Sequence, residues 1–85
     1  MDKRFVLRHA AGTYWLIDLE QDPAAYKEPM SFIKTGAEVI ELLEEGKKTM
    51  EIAAIISDRY NSKPEDVLED IVSFEMQLKD FGYII

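Results

Sequence analysis

The sequence predicts an α+β domain in which three strands are followed by three helices. Residues 1–34 contain short runs of β-branched, aromatic and apolar side chains, whereas residues 35–85 repeat apolar side chains with helical spacing. The charge balance changes at the same point, because acids and bases cancel in the first part and the second part carries the whole formal net charge of −7. With 85 residues in total, we expect a single domain spanning 1–85.

The first part of the chain predicts a hairpin and a third strand. Phe5–His9 and Thr13–Leu19 flank the tripeptide Ala10–Gly12, which supplies a turn with a glycine for positive φ. After a polar loop, Met30–Lys34 forms a third short extended segment. Because Pro29 cannot donate to a ladder, we place this segment at an edge of the sheet.

Helix start and stop signals divide the second part into three helices. The first opens at Thr35, in a Thr-x-x-Glu capping box, and ends at Gly46. The second has Thr49 as its cap, and the third has Pro64 in its first turn and ends at Gly82. The predicted inner faces comprise Ala37, Val39, Ile40 and Leu43; Ile52, Ile56 and Tyr60; and Val67, Ile71, Phe74, Leu78 and Phe81.

Composition excludes several classes of protein. There is no cysteine, so disulfides, thiol nucleophiles and cysteine-ligated zinc are absent. A sequence pI near 4.6 argues against a nucleic-acid partner, whose phosphates require lysine and arginine. No apolar run approaches the ~20 residues of a membrane span, and the N-terminus lacks a signal-peptide core. We therefore expect a cytoplasmic protein with no membrane contact.

Catalytic and metal-binding patterns are not found in the sequence. His9 is the only imidazole, and we interpret it as a partly exposed strand residue. The four serines and four glycines stand in no nucleophile or phosphate-binding motif. Glu38, Glu41 and Glu45 share the outer face of the first helix, which favours a solvated face over a metal site. We expect no catalytic residue, no metal and no cofactor.

Two surfaces remain open to interpretation. The edge segment Met30–Lys34 offers unpaired backbone groups to an extended peptide, but a short edge blunted by Pro29 is also a common structural feature, and the residues alone favour that second interpretation. Asp66 and Asp70 either support the third helix or contact a ligand. Trp15 is expected to lie in the core.

An ordered set of residues resembles the coenzyme PQQ synthesis protein D family. The resemblance covers roughly residues 5–85 and depends on packing and capping positions rather than on one specific motif. Its main segments are Tyr14-Trp15-Leu16-Ile17, Ile33-Lys34-Thr35-Gly36-Ala37, Ile40, Leu43, Gly46, Thr49, Pro64-Glu65-Asp66-Val67, Asp70-Ile71-Val72, Phe74, Leu78 and Gly82-Tyr83-Ile84. Lys34 replaces a common asparagine, and Glu75 stands where an apolar residue is frequent.

The resemblance implies a winged-helix-like domain that binds a peptide and catalyses nothing. In the family, the leader segment of a ribosomally made precursor adds as a fourth strand beside the third strand, in a cleft against the third helix. The domain then presents the precursor to a modifying enzyme, typically a radical S-adenosylmethionine enzyme that carries its own cofactors, in the biosynthesis of PQQ or a related product. The implied peptide-binding residues are Met30, Ser31, Phe32, Ile33, Lys34, Asp66, Val67, Asp70, Ile71 and Phe74.

Two other functions share parts of this pattern. A winged-helix DNA-binding or transcription-regulatory domain has the same architecture, but its recognition helix should be basic, and residues 62–81 carry six acids against two lysines. A small acyl carrier protein is also acidic, but here Ser57-Asp58 reverses the expected order and the strand-rich first third does not fit. An unpaired edge strand also allows a homodimer.

Overall fold

The computed structural model describes residues 4–20 and 28–83, so most of the predicted loop 20–29 lies outside the described residues. The chain divides into two compact units, Met1–Ala37 and Glu38–Ile85, each of which is described by itself. Three strands are followed by three helices, which confirms the α+β class. No helix within the described ranges is both long enough and apolar enough to cross a lipid bilayer.

The first unit opens with the predicted hairpin. Strand β1 is Phe5–Ala10 and strand β2 is Thr13–Asp18, paired antiparallel. The two residues between them, Ala11 and Gly12, have φ values of 52° and 79°. Positive φ at both central positions is the signature of a type I′ turn, whose twist matches that of the flanking strands.

The third strand is shorter than predicted. Strand β3 is Met30–Phe32, pairs antiparallel with β2 and gives the sheet the order β1-β2-β3. The prediction that it continues to Lys34 is wrong, because helix α1 is Lys34–Glu44. The carbonyl of Ile33 accepts hydrogen bonds from the amides of Gly36 (3.0 Å) and Ala37 (3.4 Å) and so starts the helix. Thr35 therefore lies inside the first turn, and the predicted capping box at this residue is also wrong.

One face of the sheet is buried. Phe5, Leu16 and Asp18 share this face by strand alternation, and each is at most 5% exposed. The buried Asp18 carboxylate accepts two hydrogen bonds of 2.9 Å from Arg4 and one of 3.0 Å from the amide of Glu20. A buried charge with this many partners is satisfied, and it ties the chain ahead of β1 to the end of β2.

The second unit contains the remainder of α1, helix α2 (Thr49–Tyr60) and helix α3 (Pro64–Phe81). Proline at the start of α3 and Gly82 at its end, with φ of 102°, are as predicted. The hydrophobic core of this unit is formed by Val39, Leu42, Ile52, Ala53, Ile56 and Ile71, with Leu43, Ile55, Val67, Leu68 and Phe74 packed against it.

The N-terminus of α2 differs from the prediction that Thr49 caps it. The N-cap residue is Lys48, whose amide donates to the Glu51 carboxylate over 3.2 Å, and Thr49 is the first helical residue. The Thr49 hydroxyl instead donates to both carboxylate oxygens of Glu75 on α3, at 2.9 and 3.0 Å. Glu75, which departs from the family pattern, is therefore a polar link between α2 and α3.

Glu38 belongs to a second polar link, and not to the fully solvated face that its spacing predicted. Its side chain is 12% exposed and accepts from the Tyr60 hydroxyl (2.6 Å) and the Arg59 guanidinium (3.2 Å). The inner position predicted for Tyr60 is also wrong, since Tyr60 is 46% exposed. Tyr83 is buried, and its hydroxyl donates to Glu44.

Candidate functional site

Strand β3 is an edge strand. Within the described residues its only strand partner is β2, through the pairs Tyr14↔Phe32, Trp15↔Ser31 and Leu16↔Met30. This confirms the edge position predicted from Pro29. The chemistry of the edge depends on which backbone groups of β3 point away from β2.

The hairpin fixes that direction. The amide of Leu19 donates to the carbonyl of Arg4 over 2.7 Å, so Arg4 and Leu19 are a hydrogen-bonded pair of the β1–β2 ladder. Hydrogen-bonded pairs recur at every second residue of an antiparallel ladder. Thr13, Trp15 and Ile17 therefore direct their N–H and C=O groups toward β1, and the residues between them direct theirs toward β3.

Ser31 is consequently the residue of β3 whose backbone groups point toward the open edge. Tyr14 and Leu16 form hydrogen-bonded pairs with Phe32 and Met30, which leaves the N–H and C=O of Ser31 directed away from β2. A trans peptide plane points its C=O and its N–H in opposite directions. The carbonyl of Pro29 and the amide of Ile33 are therefore directed to the same open side.

Among the described residues, no further backbone groups of this kind are available directly on either side of these four. Pro29 has no N–H to donate. The Ile33 carbonyl is occupied by the first turn of α1. The open edge thus presents one central residue, Ser31, with a donor and an acceptor, flanked by one acceptor and one donor.

An aromatic ladder holds β3 in this position. The rings of His9 and Tyr14 stack with centroids 4.1 Å apart and 1° between planes, and Tyr14 and Phe32 follow at 6.5 Å and 11°. These cross-strand neighbours lie on the same face of β1, β2 and β3. His9 is exposed, as predicted for a strand residue, and its ring extends this ladder.

Gly36 allows α1 to turn close to Phe32. A Cβ atom at Gly36 would lie 2.9 Å from Cδ2 of Phe32 and 3.1 Å from its Cβ and Cγ. These distances are below normal van der Waals contact, so only glycine fits here without displacing the Phe32 side chain. From the sequence, Gly36 was interpreted only as an interior residue of a capping box. A glycine four residues after an aromatic strand residue is the pattern that indicates this close approach.

The predicted peptide-binding residues of α3 differ widely in exposure. Asp66 and Asp70 are exposed, and Val67 and Phe74 are half-buried. Ile71 is 3% exposed and belongs to the core of the second unit. The helix therefore presents the two carboxylates to solvent, while Ile71 supports the helix from within.

The described ranges contain neither a metal-binding cluster nor an accessible attachment serine at Ser57. There, no group of three or more histidine, aspartate or glutamate side chains is placed to hold a metal ion. Ser57 is 6% exposed and its hydroxyl donates to the Ala54 carbonyl over 3.0 Å, so it is not available as a site of attachment.

Trp15 lies outside the core, contrary to the prediction. It shares the outer face of the sheet with Arg8 and Ser31, its partners in the two ladders, and is 36% exposed. The run Tyr14–Asp18 is apolar at most positions, so its alternation did not reveal which face is buried.

The fold and the site define a small α+β protein whose sheet ends in a short open edge. The chain belongs to the coenzyme PQQ synthesis protein D (PqqD) family, whose profile matches residues 27–84. This match includes β3 and all three helices. The β1–β2 hairpin lies ahead of it.

A solved structure shares the fold. It is TbiB1 in complex with the TbiA(beta) leader peptide, with a TM-score of 0.74 and 23% sequence identity, covering 96% of this chain and 90% of that one. No curated protein matches the chain significantly.

Proposed function

We propose that this protein is a non-catalytic peptide-binding chaperone that binds the leader segment of a ribosomally made precursor by strand addition to β3. The observation that carries the proposal is the open edge, where Ser31 directs both of its backbone groups away from β2. Membership of the PqqD family and a shared fold with a protein solved with a leader peptide support it.

The protein presents the bound precursor to a modifying enzyme. A radical S-adenosylmethionine enzyme is the partner implied by the family resemblance, with the product being PQQ or another modified peptide. The cofactors belong to that enzyme. The peptide pairs with both backbone groups of Ser31, with the Pro29 carbonyl and with the Ile33 amide, beside the side chains of Met30, Phe32 and Lys34. In the second unit, the exposed carboxylates of Asp66 and Asp70 attract basic residues of the leader through solvent.

DNA binding finds no support in these observations. The exposed residues of α3 include Glu65, Asp66, Glu69 and Asp70, a surface that repels phosphates. An acyl carrier role fails because the chain contains a three-stranded sheet and because Ser57 is buried.

Ser31→Pro tests strand addition directly. The Ser31 amide faces the open edge, so proline there removes a donor for the peptide without removing a bond of the β2–β3 ladder. We expect Ser31→Pro to fold with an unchanged circular dichroism spectrum and to bind at least about tenfold more weakly, which corresponds to the loss of ~1.4 kcal/mol. Ser31→Ala keeps the amide and is the matched control, expected to bind like the wild type.

The probes for this test are synthetic peptides that cover the N-terminal segments of any short open reading frames found beside the gene. Binding is measured by calorimetry and by amide chemical shifts of the ¹⁵N-labelled protein, with the largest changes expected at Ser31 and Ile33. Equal affinity of Ser31→Pro and Ser31→Ala, or shifts that leave these two amides unchanged, would contradict strand addition at β3.

A further inference from the structure

The outer face of the sheet carries an exposed indole beside the open edge. Trp15 is 36% exposed, and its partner on β3 is Ser31. Strands in a sheet lie ~4.8 Å apart, so one small side chain stands between the indole and any strand added beyond β3. Ile33, two residues after Ser31, is 73% exposed.

Geometry fixes where an added strand places its side chains. Residues opposite each other in neighbouring strands project from the same face of the sheet, whether the strands run parallel or antiparallel. The peptide residue opposite Ser31 therefore projects from the outer face, on the side of Trp15. Its two neighbours in the peptide project from the other face, on the side of Met30 and Phe32.

The surface around that position is uncharged on the two nearest strands. The outer-face residues of β2 are Thr13, Trp15 and Ile17, and Ser31 is the outer-face residue of β3. Arg8 is on the same face but belongs to β1, one strand farther away. An apolar side chain placed beside Ser31 covers part of the indole, whereas a charged one loses part of its hydration against the uncharged side chains of β2 and β3.

We propose that Trp15 and Ile33 form a specificity surface for one apolar side chain of the bound leader, the residue opposite Ser31. This inference rests on the proposed strand addition and deepens it. Met30 and Phe32 supply apolar surface on the opposite face, so the recognised segment has apolar residues at three successive positions. A peptide read from one face of the sheet would instead alternate apolar and polar residues.

Intrinsic fluorescence gives a direct readout, because Trp15 is the only tryptophan in the chain. Adding a tryptophan-free leader peptide is expected to shift the emission to shorter wavelength as the indole loses contact with water. The shift should saturate at the same peptide concentration as the amide changes at Ser31.

Intermolecular nuclear Overhauser effects identify the contact. We expect the indole protons to show effects to one peptide side chain, while the residues on either side of it show effects to Met30 and Phe32. Replacing that one peptide residue with aspartate should weaken binding about tenfold, and so should Trp15→Ala. Arg8→Ala, which alters the same face one strand farther away, is the matched control and should change affinity less than about twofold.

The outcomes separate this inference from the proposed function. Amide shifts at Ser31 and Ile33 without any change in Trp15 emission would overturn the outer-face contact and leave strand addition intact. A change in Trp15 emission only on adding the modifying enzyme, or on raising the protein concentration, would assign this face to that partner or to a second copy and overturn the proposal. If no leader shifts either probe, the proposed function itself fails.

Discussion

At the scale of single residues, the contact between Gly36 and Phe32 decides how α1 follows β3. The first turn of α1 rises directly from the edge strand, and a Cβ at Gly36 would lie within 2.9–3.1 Å of the Phe32 side chain. Glycine is normally unfavourable inside a helix, by ~0.5–1 kcal/mol relative to alanine. Its presence here reflects the close approach of the strand that carries Ser31.

Gly36→Ala is therefore expected to destabilise the protein, although helix propensity alone predicts the opposite sign. Displacing Phe32 should cost ~1–3 kcal/mol and outweigh the gain in propensity. The free energy of unfolding, measured by urea denaturation, should fall by about 1 kcal/mol, and the Ser31 amide resonance should move. Glu41→Ala, at an exposed site in the same helix, serves as the control and should leave both unchanged. A more stable Gly36→Ala protein would show that Phe32 moves aside at little cost.

At the scale of secondary-structure elements, polar side-chain contacts join the two ends of α2 to the neighbouring helices of the second unit. Thr49 at the start of α2 donates to Glu75 on α3, and Tyr60 at the end of α2 donates to Glu38 on α1. Apolar packing among Ile52, Ile56 and Ile71 lies between these two contacts. Hydrogen bonds to charged groups contribute ~1.5–3 kcal/mol when partly shielded from water. The two ends of α2 are thereby fixed to different neighbours.

A double-mutant cycle tests the first of these links. Thr49→Val leaves a half-buried carboxylate without its donor and should lower the free energy of unfolding by ~1–2 kcal/mol. Glu75→Leu together with Thr49→Val replaces the pair with apolar groups and should recover most of that loss, measured by chemical denaturation. If the losses of the two single variants simply add in the double variant, the two side chains do not interact.

The sequence predicted elements whose signals are local. Pro64 and Gly82 define α3, and the small residues Ala11 and Gly12 define the hairpin turn, because capping and turn chemistry depend on a few neighbouring residues. The end of β3 was predicted two residues too late, because Ile33 and Lys34 are also compatible with an extended chain. The start of α1 is visible only in the hydrogen bonds that the Ile33 carbonyl accepts.

The candidate site was predicted less completely than the fold. Met30–Phe32 and the edge position followed from Pro29, whereas the role of Ser31 depends on the phase of the hydrogen-bond ladder. That phase is fixed by the two-residue turn at Ala11 and Gly12, which lies far ahead of the edge strand in the sequence. The exposure of Trp15 was not predicted, since both faces of β2 carry apolar side chains.

At the scale of the whole molecule, the distribution of charge affects how fast a charged partner associates. The chain has 17 acidic and 10 basic residues, and the excess lies in residues 35–85. Asp66 and Asp70 are exposed on α3, so their field extends into solvent and falls off over a Debye length. Such charges mainly change the rate of association, so under the proposed function we expect a preference for leaders rich in lysine or arginine.

Reversal of these charges gives a salt-dependent prediction. Asp66→Lys combined with Asp70→Lys should slow association of a basic leader about tenfold at 10 mM salt and less than twofold at 500 mM, measured by stopped-flow fluorescence. Glu41→Lys combined with Glu45→Lys makes the same change in net charge on exposed sites of the α1 region and is the control. Equal slowing by both pairs would show that only net charge matters.

The short edge of β3 also has a kinetic consequence. Ser31, Pro29 and Ile33 together offer four backbone groups, and each hydrogen bond contributes only ~0.5–1.5 kcal/mol net of competition with water. Under the proposed function, a peptide held by so few backbone hydrogen bonds would exchange rapidly, and one molecule of the protein would serve many precursors in succession. An edge this short is also a poor template for aggregation by strand pairing between identical chains, which longer exposed edge strands permit.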